Sequence, residues 1–325
     1  MRDHTPVHER EQLANTFEQL ELDALGWARV ARAAPVEQLA TATPARIVRV
    51  DRGGQLLVVT GGTAPFHVRD RIRDAAACVG DWVLVEHDVA SHLVPRHSVV
   101  ERRADTDSTR PQAFAANVDL VVAVEALVPE VNVGRIVRVA ALARAGGCSV
   151  AVALTHADEH DDPTAAALDL AARTGIADIV PTSAPVDTGL DRITELIGSG
   201  TVVLLGASGA GKSSLANALI GDTYLAVGAR NASGTGRHTT STARLVPLPG
   251  GGLLVDTPGI RGIGMHVGVD LDDLRPDGLD AHAANCKFGD CTHEDEPGCA
   301  VDPRCQLLAG LLVGRAPGSP PVGGL

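Results

Sequence analysis

A glycine-rich stretch with a single lysine carries the clearest chemical signal in the chain. It is Gly206-Ala207-Ser208-Gly209-Ala210-Gly211-Lys212-Ser213-Ser214, hereafter the phosphate loop. The apolar run Thr201 to Leu205 precedes it and Leu215 to Ile220 follows, so we expect a strand, a loop and a helix. Backbone N–H groups of such a loop bind phosphate oxygens at the helix N-terminus. The spacing predicts that Lys212 reaches the β- and γ-phosphates of a nucleotide while the Ser213 hydroxyl binds Mg²⁺.

A chance glycine-rich turn with a solvated lysine would have a similar sequence. However, the chain contains 28 lysines and arginines together, and only Lys212 and Lys287 are lysines. A composition that avoids lysine has one at the position where the motif requires it. This favours nucleotide-phosphate binding.

Two later motifs provide what a nucleoside triphosphate needs beyond the phosphate loop. Asp256-Thr257-Pro258-Gly259 follows an apolar run. At this place in phosphate-loop proteins an aspartate binds Mg²⁺ through water and a glycine N–H contacts the γ-phosphate. The loop from Gly234 to Thr240 lies between the two motifs, and we expect Thr239 and Thr240 to contact the nucleotide, with Thr240 a Mg²⁺ ligand in the triphosphate state.

Two segments before the phosphate loop have the residue types that bind a guanine base. Thr155-His156-Ala157-Asp158 ends a predicted strand, and the Asp158 carboxylate can accept hydrogen bonds from guanine N1 and N2. Ser183 and Ala184 follow the next strand, where backbone N–H groups would meet guanine O6. In Ras-like GTPases both segments follow the phosphate loop, so their order here indicates a circularly permuted GTPase. We assign Thr155, His156, Asp158, Ser183 and Ala184 to the nucleotide site.

A cluster of thiols near the end of the chain has the spacing of a metal site. Three cysteines and a histidine stand at Cys286, Cys291, His293 and Cys299. Closed tetrahedral zinc requires four such ligands on short loops, so we predict one zinc ion here. Reduced core cysteines beside a surface histidine are the alternative, and Cys305 is a spare thiol that could compete as a ligand.

Net charge and the lengths of the apolar runs limit which partners the protein can have. The formal charge of −12 argues against indiscriminate nucleic-acid binding, so any RNA site must be a local basic patch. No apolar run approaches the length of a membrane span and the first residues show no apolar signal core, so we expect a cytoplasmic protein without membrane contact.

The elements that hold these motifs fall into five segments. Residues 1–40 are predicted to be a partly helical extension, and residues 41–103 carry five short β-type runs typical of an OB-fold barrel, the last at Ser98 to Val100. The barrel has nine arginines against seven acids, which suggests an RNA-binding face, although solvated strand faces would give the same count. Residues 104–116 are expected to be a linker, residues 117–265 an α/β nucleotide domain with a parallel sheet, and residues 266–325 a zinc module with a flexible tail.

Together these motifs resemble the RsgA (YjeQ) family of circularly permuted, ribosome small-subunit-dependent GTPases, over about residues 20 to 313. The resemblance implies GTP hydrolysis stimulated by the 30S subunit, binding of its 16S rRNA late in maturation, and release on hydrolysis. It also implies Mg²⁺ with GTP and one zinc ion per chain. We expect a monomer.

The chain departs from the family at the base-reading motif, which is usually Asn-Lys-x-Asp. Thr155 and His156 replace the first two residues, so we expect guanine preference to survive through Asp158 with weaker affinity. Ile260 stands where Ras-like enzymes have the glutamine that orients the attacking water, and His238 is the candidate for that catalytic role. A phosphate-loop ATPase or kinase, and a nucleotide-gated RNA-binding module with negligible hydrolysis, are the alternative functions.

Overall fold

The computed structural model describes residues 15–51, 53–73, 75–103, 111–221 and 243–256. Its N-terminal segment contains helical residues 15–18 (α1), 3₁₀ turns at Trp27–Arg29 and Ala31–Ala33, and the short helix α2 at Val36–Leu39. Phe17 in α1 is fully buried in the same hydrophobic cluster as Trp82 of the following barrel. The predicted partly helical character of this segment is therefore present in the described residues, and Phe17 anchors it on the rest of the chain.

Five strands close into a small barrel. They are β1 Thr43–Asp51, β2 Gln55–Val59, β3 Phe66–Asp70, β4 Trp82–Glu86 and β5 Val89–Leu93. Strand β1 pairs with both β2 and β4, and β3 pairs with β5 in the parallel sense, so the order β1-β2-β3-β5-β4 returns to β1. Alternate residues such as Ala45 and Ile47 of β1 fill the interior. The predicted OB-like barrel is confirmed.

The fifth barrel strand differs from the sequence prediction. It is β5, Val89–Leu93, whereas the run Ser98 to Val100 lies outside the barrel. His87 and Asp88 form the two-residue turn between β4 and β5 with positive φ at both positions, 50° and 59°. Such turns are usually marked by Asn-Gly or Asp-Gly, and this pair lacks the glycine. The hairpin therefore had no sequence signal.

A two-stranded sheet connects the barrel to the nucleotide domain. It consists of β6 Val99–Arg103 and β7 Pro111–Ala116, which pair antiparallel. Residues 111–116 had been expected to belong to a loop-like linker, and they form a strand instead. Ala115 and Ala116 are fully buried, so burial stabilises this strand. The polar composition of the residues before it gave no indication of a strand.

The α/β domain follows the predicted alternation of strands and helices. Its elements are β8 Leu120–Ala126, α3 Val133–Ala145, β9 Ser149–Thr155, α4 Pro163–Thr174, β10 Ile179–Pro181, α5 Leu190–Ile197, β11 Thr201–Leu205, α6 Lys212–Ile220, β12 Arg244–Pro247 and β13 Leu253–Asp256. The strand order is β10-β9-β8-β11-β13-β12, and all neighbours are parallel except the hairpin of β12 and β13. The predicted parallel sheet is confirmed.

Helices cover both faces of this sheet. Alternate strand residues divide between two hydrophobic clusters: Val121 of β8 packs in the same cluster as Ile136 of α3, and Val122 packs in the same cluster as Ile193 of α5. The strands are apolar on both faces for this reason, which explains their uninterrupted hydrophobic sequences. The carboxyl ends of β8, β9, β10, β11 and β13 meet at one edge of the sheet.

A buried arginine joins the barrel to the opposite edge of the sheet. Arg46 of β1 is 1% exposed. Its guanidinium donates to the carbonyls of Gly80, Leu25 and Asn117, the first and last at 3.2 and 3.1 Å, and to Thr201 Oγ1 at 2.9 Å. Burial lowers the pKa of Arg46 to about 10, against the opposing effect of Asp119. Thr201 begins β11, so the barrel is fixed to the strand that leads into the phosphate loop.

No helix in the described part of the chain combines the length and the apolar character needed to cross a membrane.

Candidate nucleotide-binding site

The phosphate loop connects β11 to α6, as its sequence predicts. A Cβ atom on Gly206 would stand 2.0 Å from the Val124 carbonyl oxygen, so only glycine allows the loop to pass over β8. Gly211 has φ 80° and precedes the first residue of α6, a conformation that suits glycine. The loop therefore presents its backbone N–H groups at a helix N-terminus, the geometry that binds phosphate.

The side chain of Lys212 lies back along the loop. Its Nζ donates to the Gly206 carbonyl at 2.9 Å and to the Ala207 carbonyl. The pKa of Lys212 is lowered mainly because burial disfavours the charged form; Glu125 opposes this change and Arg135 adds to it. The ammonium group is thus fixed at the concave side of the loop, where the β- and γ-phosphates of a nucleotide would lie.

Two oxygen-bearing side chains at the edge of this loop suit Mg²⁺. Ser213 is exposed at the start of α6, and Asp256 ends the neighbouring strand β13, where its Oδ2 accepts from Arg244 Nε at 3.2 Å. Hard oxygen donors in small number are what Mg²⁺ takes when phosphates and water complete its octahedron. The residues therefore fit the ion, which would neutralise phosphate charge when bound.

A cleft of about 130 Å³ opens beside the phosphate loop. Its lining comes from three loops and comprises Thr155, His156, Asp158, Glu159, Thr182, Ala184, Pro185, Gly211, Ser214 and Leu215. The segments after β9 and β10, which the sequence assigned to the base, therefore meet residues of the phosphate loop around one space. A base and its phosphates can be held together in this arrangement.

The Asp158 carboxyl is one of two carboxyl groups that line this cleft, the other being that of Glu159. The pKa of Asp158 is lowered first by the neighbouring Ser183 hydroxyl, and also by a backbone N–H and by His156. The Ser183 Oγ is buried and makes no hydrogen bond of good geometry within the described residues. Its effect on the pKa of Asp158 is nevertheless the largest of those named. An ionised carboxylate accepts hydrogen bonds and donates none, which matches the two N–H groups on the Watson–Crick edge of guanine.

The two residues that depart from the usual base-reading motif take different places. Thr155 is buried, and its Oγ1 donates to the Ala210 carbonyl at 2.9 Å and to the Glu125 carbonyl at 3.3 Å, so it ties β9 to the phosphate loop. His156 has φ 60° and lines the cleft, with Nδ1 3.1 Å from Glu159 Oε1. The threonine thus positions the loop, and the imidazole ring stands at the base cleft.

Several assigned residues lie outside the described residues. These are His238, Thr239, Thr240, Gly259, and the proposed zinc ligands Cys286, Cys291, His293 and Cys299. Within the described ranges, no group of three or more His, Cys, Asp or Glu side chains could hold a metal ion, and Cys78 and Cys148 are free thiols.

Sequence reasoning missed one charged pair at this edge of the sheet. Glu125, at the end of β8, is 4% exposed, and its Oε1 accepts from Arg135 Nη1 of α3. The available signal was a single glutamate in the otherwise apolar run Leu120–Ala126. A buried carboxylate needs a partner, and an arginine one helical turn into the next element is the natural one.

Comparison with known proteins relates the whole arrangement to one family. The family model described as RsgA GTPase matches residues 93–266. The small ribosomal subunit biogenesis GTPase RsgA of Streptomyces coelicolor is 42% identical over 273 residues, covering 79% of this chain and 74% of the relative. The protein of the same name from Xanthomonas oryzae pv. oryzae is 37% identical over 282 residues, covering 83% and 77% respectively.

Solved structures show the same fold. YjeQ from Thermotoga maritima matches with a TM-score of 0.60 at 23% identity, covering 85% of this chain and 100% of that chain. YloQ, described as a circularly permuted GTPase, matches with a TM-score of 0.53 at 23% identity, covering 82% and 89%. The predicted permutation, with the base-reading segments ahead of the phosphate loop, is confirmed as a feature of the fold.

Proposed function

The chain belongs to the RsgA GTPase family, and from this premise we propose that it hydrolyses GTP to GDP and phosphate in the biogenesis of the small ribosomal subunit. The observation that carries the proposal is the cleft that joins Asp158 to Gly211 and Ser214 of the phosphate loop. A carboxylate acceptor and a phosphate-binding loop around one space suit a guanine nucleotide. Adenine would place an exocyclic amine and a lone pair where guanine has O6 and N1–H, so ATP suits this acceptor poorly.

A competition titration tests nucleotide identity. In this assay GTP and ATP are each titrated, in the presence of Mg²⁺, against fluorescent GDP bound to the protein. We expect GTP to compete at least a hundredfold better, because a site built to pair with N–H groups rejects a base that lacks them. Equal competition by ATP would favour the phosphate-loop ATPase or kinase instead.

The site roles follow from the same proposal. Lys212 and the loop amides bind the β- and γ-phosphates, Ser213 and Thr240 bind Mg²⁺, and Asp158 with the Ser183-Ala184 segment binds the base. Thr239, Asp256 and Gly259 contact the phosphate end, and His238 orients the attacking water. The support is the sequence spacing together with the positions of the described residues.

The finer architecture and partners are also proposals. We propose an N-terminal extension (residues 1–40), an RNA-binding domain (41–103) that contains the barrel and β6, a connecting segment (104–116) that includes β7, the permuted GTPase domain (117–265) and a zinc module with its tail (266–325). The nine arginines against seven acids in residues 41–103 support binding of 16S rRNA within the 30S subunit, although Arg96, Arg102 and Arg103 follow the last barrel strand. The protein acts as a cytoplasmic monomer, and the subunit stimulates its GTPase.

Zinc binding rests on the spacing of Cys286, Cys291, His293 and Cys299. Metal analysis of purified protein should find one zinc per chain, and Cys291→Ser should lose it. Cys305→Ser is the matched control and should keep it. Zinc retained in Cys291→Ser but lost in Cys305→Ser would reassign the ligand.

A further inference from the structure

Glu125 stands beside the phosphate loop, one strand away. The parallel register places Leu205 of β11 next to Ala123 of β8, so the next positions bring Gly206 beside Val124 and Ala207 level with Glu125. The approach of Gly206 to the Val124 carbonyl agrees with this alignment. Ala207 is the loop residue whose carbonyl accepts from Lys212 Nζ, so Glu125 is level with the part of the loop that holds this lysine.

A buried carboxylate at an anion site needs neutralising. Oε1 of Glu125 accepts from Arg135 Nη1 and lies 3.4 Å from the Asn132 N–H, while Oε2 is buried with no hydrogen-bond partner in the described part of the chain. Its negative charge would repel the phosphates of a nucleotide if Arg135 did not offset it. The pair therefore belongs to the electrostatics of the phosphate site.

Arg135 has donors to spare. The cap residue Asn132 fixes its backbone, since Asn132 Oδ1 accepts from the Arg135 N–H at 2.9 Å in the first turn of α3. A guanidinium carries five N–H donors, and among the described residues Glu125 is the one hydrogen-bond partner of this side chain. The side chain is 24% exposed, and it is close enough to Lys212 to lower that residue's pKa. The donors that do not pair with Glu125 are therefore available to a ligand at the phosphate loop.

Hydrolysis needs a cationic donor of this kind. The water oxygen bonds to the γ-phosphorus, the bond from that phosphorus to the β–γ bridging oxygen breaks, GDP leaves with the electron pair, and the proton passes to phosphate or solvent. Ras-like enzymes use a glutamine together with an arginine supplied in cis or in trans. Ile260 occupies the glutamine position here.

We propose that Arg135 is a catalytic residue of GTP hydrolysis, supplied in cis and held beside the phosphate loop by Glu125. The Arg135 guanidinium donates to the γ-phosphate as negative charge develops. The inference rests on the proposed GTPase function. Its rival is that Arg135 only neutralises Glu125 and never touches the nucleotide.

A double-mutant cycle separates these two roles. Single-turnover phosphate release from GTP and fluorescent-GDP affinity are measured for wild type, Arg135→Ala, Glu125→Gln, the double variant, and Arg173→Ala. Arg173 is the matched control, because it is also helical and ion-paired but lies on α4. We expect Arg135→Ala and the double variant to hydrolyse at least tenfold more slowly, the double variant to keep GDP affinity within threefold of wild type, and Arg173→Ala to match wild type.

Recovery of the wild-type rate in the double variant would overturn the proposal, because only the charge balance would then matter. A rate for Arg135→Ala within twofold of wild type would also overturn it. The double variant has no unpaired buried carboxylate. Its hydrolysis rate can therefore still be measured and compared with wild type if Arg135→Ala folds poorly. An inactive wild type, tested with small ribosomal subunits, would instead refute the GTPase function itself.

Discussion

Replacement of Arg46 by methionine should uncouple the barrel from the nucleotide domain and destabilise the protein. The guanidinium makes four hydrogen bonds, to Gly80, Leu25, Asn117 and Thr201, from four separate parts of the chain. Hydrogen bonds from a charged donor contribute about 1.5 kcal/mol each at the lower end, or about 6 kcal/mol here. Burial of the cation opposes this, and it is the main cause of the pKa lowered to about 10.

Methionine removes the charged donor from these buried acceptors, so Arg46→Met should lower the free energy of unfolding by about 3 kcal/mol. Urea denaturation followed by tryptophan fluorescence measures this directly. Trp27 and Trp82 are the only tryptophans in the chain, their rings lie 5.0 Å apart, and Arg46 lies 5.9 Å from the Trp82 ring. Tryptophan fluorescence therefore reports on the region where Arg46 connects the barrel to the nucleotide domain.

Arg192→Met is the control, because Arg192 is exposed on α5 and pairs only with surface carboxylates; we expect a change within about 0.5 kcal/mol. Arg46→Lys should fall between the two, since one ammonium group cannot reach four acceptors spread around a planar fork. A loss below about 1 kcal/mol for Arg46→Met would refute the reasoning.

Three further predictions concern the nucleotide. Lys212→Ala should abolish GTP hydrolysis while leaving the urea midpoint close to wild type, since Lys212 contacts loop carbonyls rather than the core; wild-type turnover would remove the phosphate-loop assignment. Asp158→Asn should shift preference from GTP towards xanthosine triphosphate, measured by competition, and an unchanged preference would dismiss Asp158 as the base acceptor. Small subunits should bind the complex with a non-hydrolysable GTP analogue at least tenfold more tightly than the GDP complex, about 1.4 kcal/mol, in co-sedimentation; equal affinity would contradict a nucleotide switch.

Apolar runs and turn residues in the sequence predicted most of the fold, because in most segments local preference and tertiary packing favour the same secondary structure. The strand Thr201–Leu205 has the bounds of the apolar run that precedes the phosphate loop. The strand Val89–Leu93 was missed because a His-Asp turn in the left-handed region has no glycine to mark it. Pairing with β4 and β3, which is not local, makes it a strand.

Site residues could be predicted where a sequence motif determines the backbone conformation. They could not be predicted where the role of a side chain depends on residues that only the folded chain brings next to it. The phosphate loop and Asp158 lie where spacing predicts. By contrast, the Thr155 hydroxyl points to the carbonyls of Ala210 and Glu125, a role that only the packed structure reveals. Arg46 likewise resembles any strand arginine in the sequence, because its four acceptors lie up to 155 positions away from it and only folding brings them together.

Phosphate release from GTP, with and without purified small ribosomal subunits, tests the central claim most directly. The protein is expected to turn over slowly alone, because Ile260 cannot orient water, and at least tenfold faster with subunits. ATP in place of GTP, and Lys212→Ala in place of wild type, should show no stimulation. Equal rates with and without subunits, or equal stimulation of ATP hydrolysis, would contradict a GTPase that acts on the small subunit.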